Sequence, residues 1–559
     1  MLGLLSLTVI LPLLSAGGIG LLSVLSSRLD VKKGYLRIAV AFLPAATVLV
    51  AAGIVVAAGA GARLSLSSFY PSTLAEALIE LRWDSVLWPL GLALSVGTGT
   101  LLLAAGGRRQ GATGLAVAVL VLLAAALAAL WSGNPLTTIV CWSFHDLVLT
   151  LTWMLVGRNP REGLRVLAVG AVSGLLLWAG AVSGGGGIGS VSWGLIPVGG
   201  RKLAIWMLAG FLRIGAYPLH LWVPRDVRKV TPLNAVVLLS PLIGWGLWVR
   251  LASLGDGGLP IGSWMVVPGV LTLLIGAVLA WTAGSANESC RWIAMGVNGS
   301  VLLATVLMVV GDENAGGLVA SEMTLGVVGW VLGTSMLYLG GGIDLERGLV
   351  GSGLLKTIPT VVGAMSLIGV PATAGFASVY LLMSGQVNGG WPLIVGVFLG
   401  QLFLAASIIR WLVGSTPATG GRSGSLGRIV NEAALGCLSV VIIAAGILPR
   451  PLVSGLGSVD VPSLGSMAAT PGLRAWLLWA GAIIIGAGAA WADRKIRPRV
   501  SLWLDAVHDA VLLDWVYRLV SGAMEQGFAL LRVIDGILGG RAALIWSAVI
   551  LMILVLIGD

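Results

Sequence analysis

The chain has 559 residues, 57% of them hydrophobic and 10% charged, with a net charge of +10 and a mean hydropathy of +1.01. A soluble domain carries roughly 25% charged residues, so a water-soluble fold is excluded: too little polar surface exists to cover such a core. The basic residues are dispersed among loops and form no run interleaved with aromatics, which argues against a nucleic-acid partner.

A membrane-spanning helix takes about 20 apolar residues, and runs of that length recur along the chain, predicting an all-α integral membrane protein with about sixteen spans. The predicted spans are 3–26, 38–60, 86–106, 115–132, 135–156, 163–182, 203–222, 232–252, 265–284, 292–310, 316–342, 357–383, 388–413, 429–449, 474–492 and 541–557. The first is apolar but has no basic n-region and no small-residue cleavage site, so it reads as a span and not as a removable signal. The domain boundaries that follow are 1–84 for N-terminal transmembrane helices, 85–415 for a transmembrane core, 416–492 for C-terminal core helices, 493–540 for a lateral helix and 541–559 for a final span. The polar-leaning stretches 61–85, 183–202, 414–428 and 450–473 read as loops. The glycine-rich run Gly184–Gly189 follows no strand and reads as a flexible loop, not a nucleotide site.

Basic residues concentrate in the odd-numbered loops: Arg28, Lys32, Lys33, Arg37, Arg108, Arg109, Arg158, Arg225, Arg228, Lys229, Arg291, Arg494, Lys495, Arg497 and Arg499 among others. The even-numbered loops hold Arg63, Arg82, Arg201, Lys202, Arg450 and Arg474. By the positive-inside rule the odd loops are cytoplasmic and both termini face outward across an inner (plasma) membrane. Within 501–538, Leu504, Val507, Val511, Trp515 and Leu519 recur at helical spacing among Asp505, His508, Asp509, Arg518 and Glu525. That pattern predicts an amphipathic helix along the cytoplasmic face.

Cys141, Cys290 and Cys437 are widely separated in or beside apolar runs. They offer no zinc or iron–sulfur ligand set, so no metal or other cofactor is expected on this chain.

The most informative stretch is Arg213-Ile-Gly-Ala-Tyr-Pro218-Leu-His220-Leu-Trp222-Val-Pro224, followed by Thr231-Pro232 and a span ending at Arg250. It resembles the central signature of the antiporter-like subunits of respiratory complex I and of the Mrp antiporters. In that family a Lys precedes a Pro-x-His-x-Trp-x-Pro turn, then Thr-Pro and a span carrying a His. Gly369-Val-Pro371-Ala-Thr-Ala-Gly375-Phe376 resembles the family's Gly-Ile-Pro-Pro-x-x-Gly-Phe element, where a helix is broken, and Leu337–Gly342 is similar to the end of its other discontinuous helix. The likeness covers most of 85–415, and the last spans with a lateral helix between them resemble the long distal subunit. Pro and Gly inside spans free backbone groups, which survive at membrane depth only where protein or water satisfies them. Pro218, Pro224, Pro232, Pro371 and Gly375 are therefore the expected broken-helix elements.

The resemblance implies a membrane-arm subunit of a redox-driven proton-translocating assembly. Its partners would be the lipid bilayer, other membrane-arm subunits and hydrophilic redox subunits; alternatively it would serve an energised inorganic-carbon uptake complex. The family's relay residues are largely replaced. The Glu after Trp142 is Ser143, with His145 and Asp146 next; the Lys of the seventh span is Arg213. The remaining positions fall near Leu238, at Thr334 and at Val379. An Arg holds its proton at any accessible pH. The proton-path candidates are thus Arg213, Asp146, His145, His220 and Ser143, with Arg213 expected to pair with Asp146 because a lone charge in lipid is costly. Two mechanisms remain open: a degenerate channel with a partly structural role, or translocation through non-standard residues.

Overall fold

The computed structural model describes residues 2–28, 46–54, 63–68, 78–84, 86–106, 112–157, 159–183, 193, 200–220, 239–253, 263–311, 316–341, 354–376, 378–379, 382, 391–413, 425–453, 473–513 and 522. The chain divides into two compact units, Met1–Lys495 and Ile496–Asp559. Helices dominate: α1 (Leu2–Arg28), α2 (46–54), α3 (Trp88–Gly106), α4 (Ala112–Leu130), α5 (Pro135–Leu155), α6 (Pro160–Val182), α7 (Gly200–Ile214) and α8 (Pro241–Ser253). They continue with α9 (Val266–Thr282), α10 (Ala286–Gly311), α11 (Gly316–Gly341), α12 (Leu354–Ile368), α13 (Trp391–Val413), α14 (Ser425–Ile447) and α15 (Leu473–Val511). Among the described residues, 8 helices are long and apolar enough to cross a membrane, and four shorter apolar ones accompany them. The chain is a multi-pass membrane protein.

The helices begin where local chemistry allows. Asn134 and Asn159 each accept a hydrogen bond from a backbone amide of the first turn, Thr137 N and Glu162 N, and each is followed by a Pro whose missing N–H costs nothing there. Two helices stop early for a common reason. α7 and α12 each hold 15 residues, about 22 Å of helix against a hydrocarbon core of about 30 Å. Each runs into an Ile-Gly step whose glycine takes positive φ, 74° at Gly215 and 75° at Gly369. At the second break Val370 N bonds to Met365 O at 2.9 Å, the bond that closes a helix on a left-handed glycine.

These breaks expose an internal repetition. In α4–α8 each helix packs on the next and the first packs on the last; α9–α13 does the same. The third helix of the second set, α11, sits at the centre of the first unit. It touches α3, α8, α10, α12 and α14, and its span Val319–Leu339 is buried throughout.

Several expectations are corrected. The stretch 61–85 contains an antiparallel hairpin, β1 (Arg63–Ser68) and β2 (Leu78–Arg82). β2 closes over the α4–α5 junction through Gly133 N to Glu80 O at 2.7 Å and Arg82 N to Trp131 O at 2.6 Å. The expected discontinuity at Leu337–Gly342 is absent, because α11 runs unbroken to Gly341; the break falls after Ile214 instead. Arg291 is not in a loop but buried in α10. The fifteenth helix does not end near 492 but continues through Pro498 to Val511. In the described part of the second unit Leu504 is buried while Asp505 and Asp509 are exposed; the rest of the predicted lateral helix and the span 541–557 lie outside the described residues.

Candidate proton-path site

α5 presents Trp142, His145 and Asp146 on one face, because positions i, i+3 and i+4 of a helix share a side. All three are buried, as is Arg213 near the end of α7. Arg213 Nη2 donates to Asp146 Oδ1. The same nitrogen stands 2.9 Å from His145 Nδ1, and the guanidinium lies 5.6 Å from the centre of the Trp142 ring. An arginine only donates, so His145 Nδ1 is the acceptor and the ring is neutral, with its proton on Nε2. His145 Nδ1 is 3.5 Å from Asp146 Oδ1.

Two glycines let the helices close on this cluster. A methyl at Gly170 of α6 would stand 2.7 Å from Asp146 Cγ, and one at Gly244 of α8 would stand 2.9 Å from Arg213 Cβ. Any side chain there would push the pair apart. The cluster is incompletely satisfied: Asp146 Oδ2 and Arg213 Nε are buried without a hydrogen-bond partner among the described residues. Beside His145 lies a cavity of about 20 Å³, room for one water, lined also by Thr98 and Ser240. The Thr98 hydroxyl has no hydrogen-bond partner among the described residues.

Ser143 does not join the cluster; it sits on the exposed side of α5. His220 is buried in the turn after α7, stacked on Tyr217 at 5.4 Å and edge-on to Trp292 at 5.8 Å. Pro218 is exposed in that turn and Pro371 is half-buried in the second break. Gly375 packs on α11, where a methyl at Gly329 would meet its Cα at 2.6 Å. Pro224, Pro232 and Leu238 lie outside the described residues. Thr334 and Val379, at the family's other relay positions, are both buried.

The repetition identifies the counterparts of the pair. Asp146 lies as far beyond the end of α4 as Asn298 lies beyond the end of α9, and Arg213 occupies the place in α7 that Leu367 occupies in α12. Both counterparts are buried and neutral. Asn298 accepts from Trp245 Nε1 at 3.1 Å and donates to Ile214 O at 3.5 Å, a carbonyl at the broken end of α7.

Sequence reasoning missed two further arginines. Arg250, at the end of α8, donates to Leu130 O at 2.7 Å, Ser132 Oγ at 3.1 Å and Asp84 Oδ2 at 3.4 Å. Arg410, at the end of α13, donates to Trp281 O at 2.6 Å and Ala283 O at 2.9 Å and lies 3.7 Å from Asp493. Each caps the carbonyl end of the first helix of its own set. Their equal placement, three residues before the end of the fifth helix of each set, was the available signal.

No model of a known protein family matches this chain. It is 25% identical over 359 residues to NADH-quinone oxidoreductase subunit N of Parafrankia sp. (strain EAN1pec), covering 57% of this chain and 66% of that protein. It spans 48% and 49% of two further subunit N proteins, from Salinibacter ruber and Rhodococcus opacus; the chain thus spans half to two thirds of the length of these relatives. In fold it is similar to a chain of the Mrp complex from Dietzia sp. DQ12-45-1b, at 18% identity and a TM-score of 0.77, covering 99% of this chain and 62% of that one. It is also similar to a chain of the membrane-bound sulfane sulfur reductase, an archaeal respiratory membrane complex, at 16% identity and a TM-score of 0.72, covering 98% and 99%.

Proposed function

We propose that this chain, whose homologues are antiporter-like membrane subunits, is a membrane-arm subunit of a redox-driven, proton-translocating assembly related to complex I. Its own path is degenerate and its role partly structural. Other membrane subunits flank it in an inner membrane, and hydrophilic partners hold the redox cofactors. One observation carries the reading: among the described residues every buried cationic side chain held by the helices is an arginine, namely Arg213, Arg250 and Arg291, with no buried lysine. Relay along the family's path requires groups that release and regain protons, and arginine does neither. Arg213 is moreover held by Asp146, so the pair ties α5 to α7.

The test is proton translocation per electron pair in the reconstituted assembly, measured beside complex yield. Asp146→Asn leaves Arg213 as an uncompensated buried charge, costing about 3–5 kcal/mol, so yield and thermal stability fall more than the proton ratio of whatever assembles. Normal assembly with a lowered ratio would show instead that the chain carries a working channel.

A further inference from the structure

We propose that His145 is a one-proton binding site whose two states are set by exchange of hydrogen-bond partners with Arg213 and Asp146. The inference deepens the reading above by naming the group in the reduced path that takes up a proton.

In the arrangement present, Nδ1 of His145 accepts from Arg213 Nη2 at 2.9 Å. Two buried atoms of the same cluster, Asp146 Oδ2 and Arg213 Nε, have no hydrogen-bond partner among the described residues. A buried orphan costs free energy, and two complementary orphans on bonded partners point to a second arrangement that uses them. Protonation supplies it. A proton added at Nδ1 turns that nitrogen from acceptor to donor, so Arg213 must withdraw. The new N–H already faces Asp146 Oδ1 at 3.5 Å. Arg213 keeps the carboxylate by moving Nε and Nη2 toward Oδ2. One N–H bond forms at Nδ1 as one O–H bond of the donating hydronium breaks and water is released, and the net charge of the cluster rises from zero to +1.

The surroundings suit an exchange of this kind. The cavity of about 20 Å³ beside the ring, lined also by Thr98 and Ser240, has room for one water, which would give the ring a polar contact that does not involve Arg213. Among the described residues no other charge lies opposite His145. α3 and α4 carry no ionisable residue along their length, and the part of α6 facing Asp146 is Gly170. Glu162 and Arg165 of α6 pair with each other near its start, Glu80 and Arg82 of β2 lie at the far end of α5, and Arg250 of α8 is committed to Leu130, Ser132 and Asp84. Among the described residues the charged groups that face the imidazole are Asp146, 3.5 Å from Nδ1, and Arg213, 2.9 Å from it.

The chain has 3 histidines, so ¹⁵N-histidine labelling of the full chain in lipid bilayers gives a spectrum that His145→Gln assigns. The expected result near pH 8 is an Nε2–H tautomer with Nδ1 in the shift range of an acceptor, converting to imidazolium on acidification. Asp146→Asn weakens proton binding at His145 at least about tenfold, and Arg213→Gln strengthens it by a similar factor. An Nδ1–H tautomer near pH 8, or a wild-type ring still neutral at about pH 4.5, overturns the proposal. An unchanged affinity in either variant does so too. If neither variant folds, the wild-type tautomer and titration decide alone. This readout comes from the chain itself and the proton ratio from the assembled complex, so either inference fails without the other.

Discussion

Arg213 is a residue whose partner the sequence reveals, because a permanent cation inside a span needs an anion and Asp146 lies in a neighbouring helix. The pairing is direct. Ser143 stands apart from the cluster for a reason of phase: helix geometry rotates position 143 outward while 142, 145 and 146 face in. Arg250 and Arg410 were hidden differently, since a basic residue at a span's end reads as a topology marker whether it meets water or a carbonyl. The structure separates the two uses. Arg250→Ala strips partners from Leu130 O, Ser132 and Asp84 inside the protein and should cost about 3 kcal/mol in the thermal unfolding of the full chain in detergent. Arg161, exposed at the start of α6, should change by less than about 0.5 kcal/mol on the same substitution. Equal losses at the two sites would remove the capping role.

At the level of elements, the two glycine stops should be the places least tolerant of a methyl group. Gly215→Ala places an L-residue at φ 74°, a penalty of about 1–2 kcal/mol. Gly369→Ala adds to this a collision with Val379 and should lower the unfolding temperature more than Gly215→Ala does. The reverse order would mean that the second break is the more pliable. Breaks at Pro-containing signatures were legible because Pro and Gly free backbone groups wherever they stand. The Leu337–Gly342 run resembled the end of a discontinuous helix, yet α11 is one uninterrupted helix from Gly316 to Gly341. The charged cluster at Arg494 and Lys495 marked the end of an apolar segment, and the helix passes through it to Val511. Polarity reports where a helix leaves the hydrocarbon, while backbone geometry decides where it ends. The hairpin in 61–85 went unread although Leu64 and Leu66 alternate with Ser65 and Ser67 at the strand period of two.

For the molecule as a whole, composition fixed the class outright, while the repetition of α4–α8 in α9–α13 stayed hidden, because Arg213-Ile-Gly and Leu367-Ile-Gly share little beyond the Ile-Gly step. The distribution of positive charge still yields a testable orientation. In a background with Cys141, Cys290 and Cys437 replaced, an impermeant thiol reagent added outside should label Asp559→Cys, and added inside should label Arg499→Cys. Labelling of both from one side would overturn the sixteen-span arrangement. The enclosure of α11 has a further consequence, for the order in which the chain is made. Its span is among the least hydrophobic of the candidate membrane spans, with a mean hydropathy of 1.2 against 2.6 for α4, and Ser321, Thr324, Thr334, Ser335 and Tyr338 are distributed along it. Presented alone to lipid at the translocon, such a segment gains little from partitioning. Three of the helices that enclose it, α3, α8 and α10, precede it in the chain and leave the ribosome first; α12 and α14 follow. The central helix therefore enters a half-built cleft of protein and not bare bilayer, and its delivery depends on the earlier helices having been retained there.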